Sequence, residues 1–105
     1  MKRPEILKEI EKIKEQIIEK YRPEKIILFG SAAWGDKEIN DIDFFIVKKD
    51  VPYYGGERMS ELYKLIRANV AVDYIVYKPG EVEERLALKD PFVKKIFQKG
   101  TILYG

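Results

Sequence analysis

Four consecutive apolar residues, Ile26-Ile27-Leu28-Phe29, run directly into Gly30-Ser31, and this junction constrains the chain more than any other stretch. An unbroken apolar run of that length reads as a strand buried on both faces, and therefore central in a sheet. Glycine then lets the backbone turn and come close to a ligand. A polar excursion through Trp34-Gly35-Asp36 follows, and a second strand begins at Asp41. There Asp41 and Asp43 stand two residues apart, so both side chains project from one face while Ile42 and Phe44 take the other. Two adjacent carboxylates repel, and neutralising one costs a raised pKa. A divalent cation removes the conflict, and Mg²⁺ prefers such oxygen ligands.

The remaining elements follow from periodicity. Ile6, Ile10, Ile13, Ile17 and Tyr21, widened by Leu7 and Ile18, predict an amphipathic helix over residues 4–21. Glu9/Lys12 and Glu11/Lys14 pair on its polar face, and Arg22-Pro23 ends it. Packing on the sheet is its expected role. Strands are expected at 25–29, 41–48 and 70–77. Ser31 is expected to cap a short helix reaching about Trp34, whose free N–H groups would suit a phosphate. The Pro52–Gly56 stretch reads as a loop, its tyrosines packing over the domain edge or stacking on a base. A helix over 57–69 carries Met59, Leu62, Tyr63 and Ile66 as its apolar stripe. In the third strand Asp73 is the sole charge, so it needs either a partner or an exposed strand end. Pro79-Gly80 breaks that strand, and a helix over 81–89 turns Val82 and Leu86 inward. Asp90-Pro91 reads as an N-cap with a first-turn proline. The helix over 92–99 groups Phe92, Val93, Ile96 and Phe97, Gly100 stops it, and 101–104 form a last short strand.

Composition narrows the chemistry. The 105 residues suffice for one domain with one core, 1–105. The absence of cysteine and histidine rules out disulfides, thiolate metal sites and histidine acid–base catalysis, so Asp, Glu, Lys and Tyr must carry any reaction. No apolar run approaches the roughly 18 residues that span a bilayer. Met1-Lys2-Arg3-Pro4 leads into a charged segment, so no membrane contact and a cytoplasmic location are expected. Net charge is +2, from 20 basic and 18 acidic residues that are interspersed; this is weak support for nucleic-acid binding, and no nucleic-acid partner is expected. Abundant Lys and Glu with few Asn and Gln match proteins of hot environments. Gly30, Gly35 and Lys37 approach a phosphate-loop spacing, but Asp36 intrudes before the lysine and Glu38 follows it, which excludes that motif.

The run Gly30-Ser31-Ala32-Ala33-Trp34-Gly35, then Asn40-Asp41-Ile42-Asp43, resembles the signature of the nucleotidyltransferase superfamily that includes DNA polymerase beta. That signature is Gly-Ser, a short helix, then Asp-x-Asp on the next strand. The likeness is closest to the minimal nucleotidyltransferase domains of bacteria and archaea. It covers most of the chain, including the terminal Gly100-Thr101-Ile102-Leu103-Tyr104. Asn40 stands where many relatives carry Ser, and either makes a short-range turn hydrogen bond. The resemblance implies an α/β (α+β) nucleotidyltransferase fold, with a small mixed sheet of about four strands and helices mainly on one face. It implies a third acidic residue beside the pair, a role that Asp73 matches. Asp41, Asp43 and Asp73 would then be catalytic and hold two Mg²⁺ ions, while Gly30 and Ser31 bind the phosphates of a nucleoside triphosphate, expected to be ATP. A hydroxyl would attack the α-phosphorus and pyrophosphate would leave, with Asp73 able to take the proton.

Larger relatives hold the acceptor with a further helical domain, for which 105 residues leave no room, so the acceptor is expected on a separate protein. By resemblance, that partner is a helical HEPN-class toxin, and this chain is its antitoxin, moving AMP to a toxin hydroxyl, expected to be a tyrosine. The alternative is a catalytically silent partner-binding module of the same fold, and the next is a structural metal-binding domain without nucleotide. Oligomeric state, a homo-oligomer included, is not legible in the sequence.

Overall fold

The structure, a computed structural model, describes residues 3–35 and 38–105. Asp36 and Lys37 of the phosphate-loop comparison, and the Met1-Lys2 lead-in, lie outside the described residues. In chain order the elements are α1 (Arg3–Tyr21), β1 (Lys25–Phe29), α2 (Ser31–Trp34), β2 (Asp41–Val47) and α3 (Gly55–Leu65). Then come β3 (Ala71–Tyr77), α4 (Pro79–Ala87), α5 (Pro91–Lys99) and β4 (Thr101–Tyr104). The four strands form one mixed sheet in the order β3-β2-β1-β4. β1 is antiparallel to both its neighbours, and β2 runs parallel to β3. This is the mixed α/β sheet that the sequence predicts.

β1 is central and covered on both faces, as its unbroken apolar run requires. Ile26 and Leu28 join one hydrophobic cluster with Ile6, Ile10, Ile13 and Ile17 of α1 and Leu62 of α3. Ile27 and Phe29 join a second cluster with Phe45 and Val47 of β2, Val82 of α4 and Ile96 of α5. The heavier helical layer, α1 and α3, therefore lies on one face, and the shorter α4 and α5 cover part of the other. β2 splits in the same way. Ile42, Phe44 and Ile46 enter the first cluster, whereas Phe45 and Val47 enter the second. By strand alternation Asp41 and Asp43 share the second face with Phe45 and Val47.

Several boundaries differ from expectation for identifiable reasons. α3 starts at Gly55, inside the expected loop, and stops at Leu65 rather than at residue 69. Its extension is captured by α1: Gln16 accepts from the Arg67 N–H (2.8 Å) and donates to the Arg67 carbonyl (2.8 Å), while Glu9 accepts from the Asn69 N–H (2.5 Å). Glu9, expected on the polar face opposite Lys12, keeps that ion pair at 3.2 Å but is buried by this second task. Leu7 and Leu86, expected inward, are exposed. Gly100 ends α5 with an extended backbone, not a left-handed one. Glycine is needed there for room, because a Cβ would strike the Ile96 carbonyl and the Ile27 side chain. Asp90 caps α5 as predicted, accepting from the Phe92 and Val93 N–H groups at 2.9 and 3.2 Å.

Arg58 of α3 is a buried cation that periodicity did not disclose. Its guanidinium donates to the Pro52, Tyr53 and Val76 carbonyls at 2.6, 3.1 and 2.9 Å, and to both Glu81 oxygens at 2.7 and 3.2 Å. It thus ties the loop after β2, the end of β3 and the start of α4 into one unit. The Glu81 carboxylate also accepts from the Lys78 N–H (2.7 Å), and its pKa is lowered chiefly by Arg58. Arg58→Ala would leave the buried Val76 carbonyl and the part-buried Pro52 and Tyr53 carbonyls without this donor. Urea denaturation should show a loss of about 3 kcal/mol or more, whereas Leu86→Ala, on the exposed face, should cost well under about 1 kcal/mol.

Candidate active site

The parallel β2–β3 pairing decides where the carboxylates meet. Its register sets Asp43 opposite Asp73 and Asp41 opposite Ala71. Partners across a parallel pair project from the same face, and neighbouring strands lie about 4.8 Å apart. Asp41, Asp43 and Asp73 each offer a carboxylate oxygen, and these oxygens lie within 4.8 Å of one another. Asp41 and Asp43 are half-buried and Asp73 is exposed. Both expectations for Asp73 therefore hold at once: it sits toward the open end of its strand, and it stands beside the pair.

The Gly30 turn closes onto this cluster. Phe29, the last residue of β1, pairs with Asp43. Gly30 follows with φ 73° and ψ −157°, a backbone region open to glycine alone. A Cβ at this position would collide with the Asp43 carboxylate. The positive φ demands glycine, and the missing Cβ leaves the Asp43 carboxylate its place beside the turn. Ser31 does not cap α2 as expected. Gly30 occupies the N-cap, and its carbonyl accepts from the Ala33 and Trp34 N–H groups at 3.1 and 3.0 Å. The Ser31 side chain does not cap the helix, and Ser31 follows directly on the glycine that turns against Asp43.

Asp43 carries the electrostatic strain. Partial burial, with the Asp41 and Asp73 charges added, raises its pKa from 3.8 to about 6. Sequence alone anticipates the repulsion; the burial that dominates it comes from the sheet. The donor set is all oxygen and converges at one end of the sheet, and it fits a hard divalent cation such as Mg²⁺, which takes carboxylates together with water and phosphate oxygens.

Other features lie around or away from the cluster. A cavity of about 290 Å³, lined by Tyr53, Arg58 and Glu81 among others, sits at the opposite end of β3. Its guanidinium and carboxylate are engaged with each other, so it is not the site of the acidic chemistry. On the cluster's side, the Phe92 ring of α5 meets Phe29 edge-on at 5.8 Å, and both Phe92 and Trp34 remain exposed. Lys95, one turn along α5 from Phe92, places its ammonium 4.0 Å above the Trp34 ring. Sequence reading missed this contact. The two residues are far apart in the chain, and although Trp34 lies in the Gly30–Gly35 run, nothing in the sequence links it to Lys95.

The comparisons with known proteins agree with this geometry. Residues 11–105 match the family described as polymerase beta, nucleotidyltransferase. The fold is similar to the crystal structure of a candidate nucleotidyltransferase from Sulfolobus solfataricus, with a TM-score of 0.61 and 33% sequence identity, over 78% of this chain and 75% of that one. No curated protein matches. The turn at Gly30, the acidic cluster and a family match over nearly the whole chain lead to one statement: the chain belongs to the polymerase beta nucleotidyltransferase family.

Proposed function

We propose that this chain is a Mg²⁺-dependent nucleotidyltransferase that moves AMP from ATP to a protein hydroxyl. The observation that carries the reading is the convergence of the Asp41, Asp43 and Asp73 oxygens within 4.8 Å, against a turn that only glycine can make. Divalent cations held by the three aspartates would supply charge neutralisation at the phosphates and a lowered pKa for the attacking hydroxyl. Gly30 lets the backbone approach the triphosphate, and Ser31 donates a hydrogen bond to a phosphate oxygen. Asp41 and Asp43 would hold the cations that neutralise the α-phosphate. Asp73, the exposed member, faces the side from which an acceptor enters and takes the hydroxyl proton. The acceptor oxygen forms a bond to the α-phosphorus, the bond to the β-phosphate oxygen breaks, and pyrophosphate leaves with that electron pair. The acceptor is a tyrosine of a helical HEPN-class toxin, and the chain acts as its antitoxin in the cytoplasm. The intact carboxylate set argues against the silent-module alternative, because a purely structural role would not sustain three repelling charges in one place.

The primary test is calorimetric titration of ATP with Mg²⁺ into the wild type and into an Asp41→Asn/Asp43→Asn variant, followed by label transfer from α-labelled ATP to the toxin. Metal-dependent binding lost in the variant supports the reading. A folded wild type that binds none of the nucleoside triphosphates, with or without the toxin, overturns it.

Two further outcomes follow from Asp43. Asp43→Asn should lower transfer by about a hundredfold or more, since several kcal/mol of transition-state stabilisation goes with the metal ligand. The same change should raise the melting temperature of the metal-free protein near neutral pH, because it removes a charge that burial disfavours. A pH series checks the sign. With its folded pKa at about 6 against 3.8, native Asp43 binds more protons than the unfolded chain between those values. Its contribution to stability therefore falls as pH rises through that window, and the advantage of Asp43→Asn over wild type should widen across it. Mg²⁺ affinity should weaken below about pH 6, with proton release on binding that calorimetry in buffers of different ionisation enthalpy detects.

A further inference from the structure

We infer that Lys95, resting on the indole of Trp34, is the cation that receives the terminal phosphates of the bound nucleotide. This rests on the nucleotidyl-transfer reading and adds a residue that the acidic signature does not contain. Three observations carry it. The first is position. α2 begins at the Gly30 turn beside Asp43, and Trp34 lies three residues past Ser31, about 4.5 Å along the helix. α5 is held against the same strand end by the Phe92–Phe29 contact, and Lys95 is one turn from Phe92 on that face. The second is pairing. Among the described residues no carboxylate lies within ion-pair distance of Lys95, although the acidic cluster occupies the same end of the sheet. Its ammonium is held 4.0 Å over an aromatic face instead. The third is exposure: Trp34 and Lys95 are both open to solvent, so the contact is not part of the core.

The charge requirement explains the arrangement. Three aspartates with divalent cations can balance the α-phosphate region, but terminal phosphates resting on the Gly30-Ser31 turn would need a further cation beyond the aspartates. A cation in contact with the aspartates would be neutralised by them and would compete with the metal. One held at a distance by an indole stays available. A cation–π contact at an exposed site is weak, while a charge-assisted bond to phosphate is stronger, so the ammonium can leave the ring when a triphosphate arrives. Its flexible four-carbon stem permits that movement.

The test compares three probes, each with Mg²⁺: ATP, inorganic pyrophosphate and AMP. Lys95→Met should weaken ATP and pyrophosphate by similar factors of about ten or more, and leave AMP within about twofold. Lys95→Arg should recover most of the loss. Trp34→Leu should leave pyrophosphate affinity within about twofold or raise it slightly, because it removes a contact that binding breaks. The residue is exposed, so the variants should fold, and equal melting temperatures check this. Equal losses for ATP and AMP would overturn the inference by assigning Lys95 to the nucleoside. Unchanged pyrophosphate affinity in Lys95→Met would overturn it outright while leaving nucleotidyl transfer intact. A wild type that binds none of the probes would instead defeat the transfer reading, and this inference with it.

Discussion

Parallel pairing of β2 with β3 is the interaction on which the molecule's chemistry depends, because it puts Asp73 on the rung beside Asp43. A parallel pair cannot be closed by a tight turn and needs a crossover, here supplied by α3. The crossover must then be anchored at both ends. At its start, Arg58 gathers the loop, β3 and α4 through five hydrogen bonds. At its end, Gln16 and Glu9 of α1 hold the return segment. A buried cation is an expensive anchor unless its donors are satisfied, and in this case both carbonyls and a carboxylate meet them.

The two hydrophobic clusters allow a destabilising feature to persist. One face of the sheet is covered along its length by α1 and α3. The other is covered where Phe45, Val47 and Ile27 lie, by α4 and α5. The acidic end of that second face carries carboxylates where an apolar layer would need aliphatic side chains. Helical cover therefore stops short of it, and a surface open to a polar ligand results. The raised pKa of Asp43 is a consequence of lying at this boundary, half-buried by the apolar end and crowded by the acidic one.

Gly30 links backbone conformation to charge. Its positive φ and the missing Cβ let β1 end against Asp43 and turn at once into α2. That turn starts α2 beside the cluster and carries Trp34 to Lys95 of α5. The result joins three separate parts of the chain, the turn, the acidic strands and the exposed side of α5, at one end of the sheet.

Much of this was legible in the sequence, and the boundary has a physical basis. The α1 stripe, the central β1, the Asp41/Asp43 alternation and the Asp90 cap depend on residues a few positions apart, so local periodicity and capping chemistry determined them. Gly30 could be marked as a turn, and Asp73 as a charge needing an explanation. Only the tertiary structure decided that Asp73 stands beside Asp43, since strand order and register are long-range properties. The same holds for the burial of Arg58 and Glu9, the exposure of Leu7 and Leu86, and the perch of Lys95 on Trp34. A side chain's solvent exposure and its partners are set by elements distant in sequence. Local patterns specify which face of a helix or strand is apolar, but not how far the neighbouring layer extends to cover it.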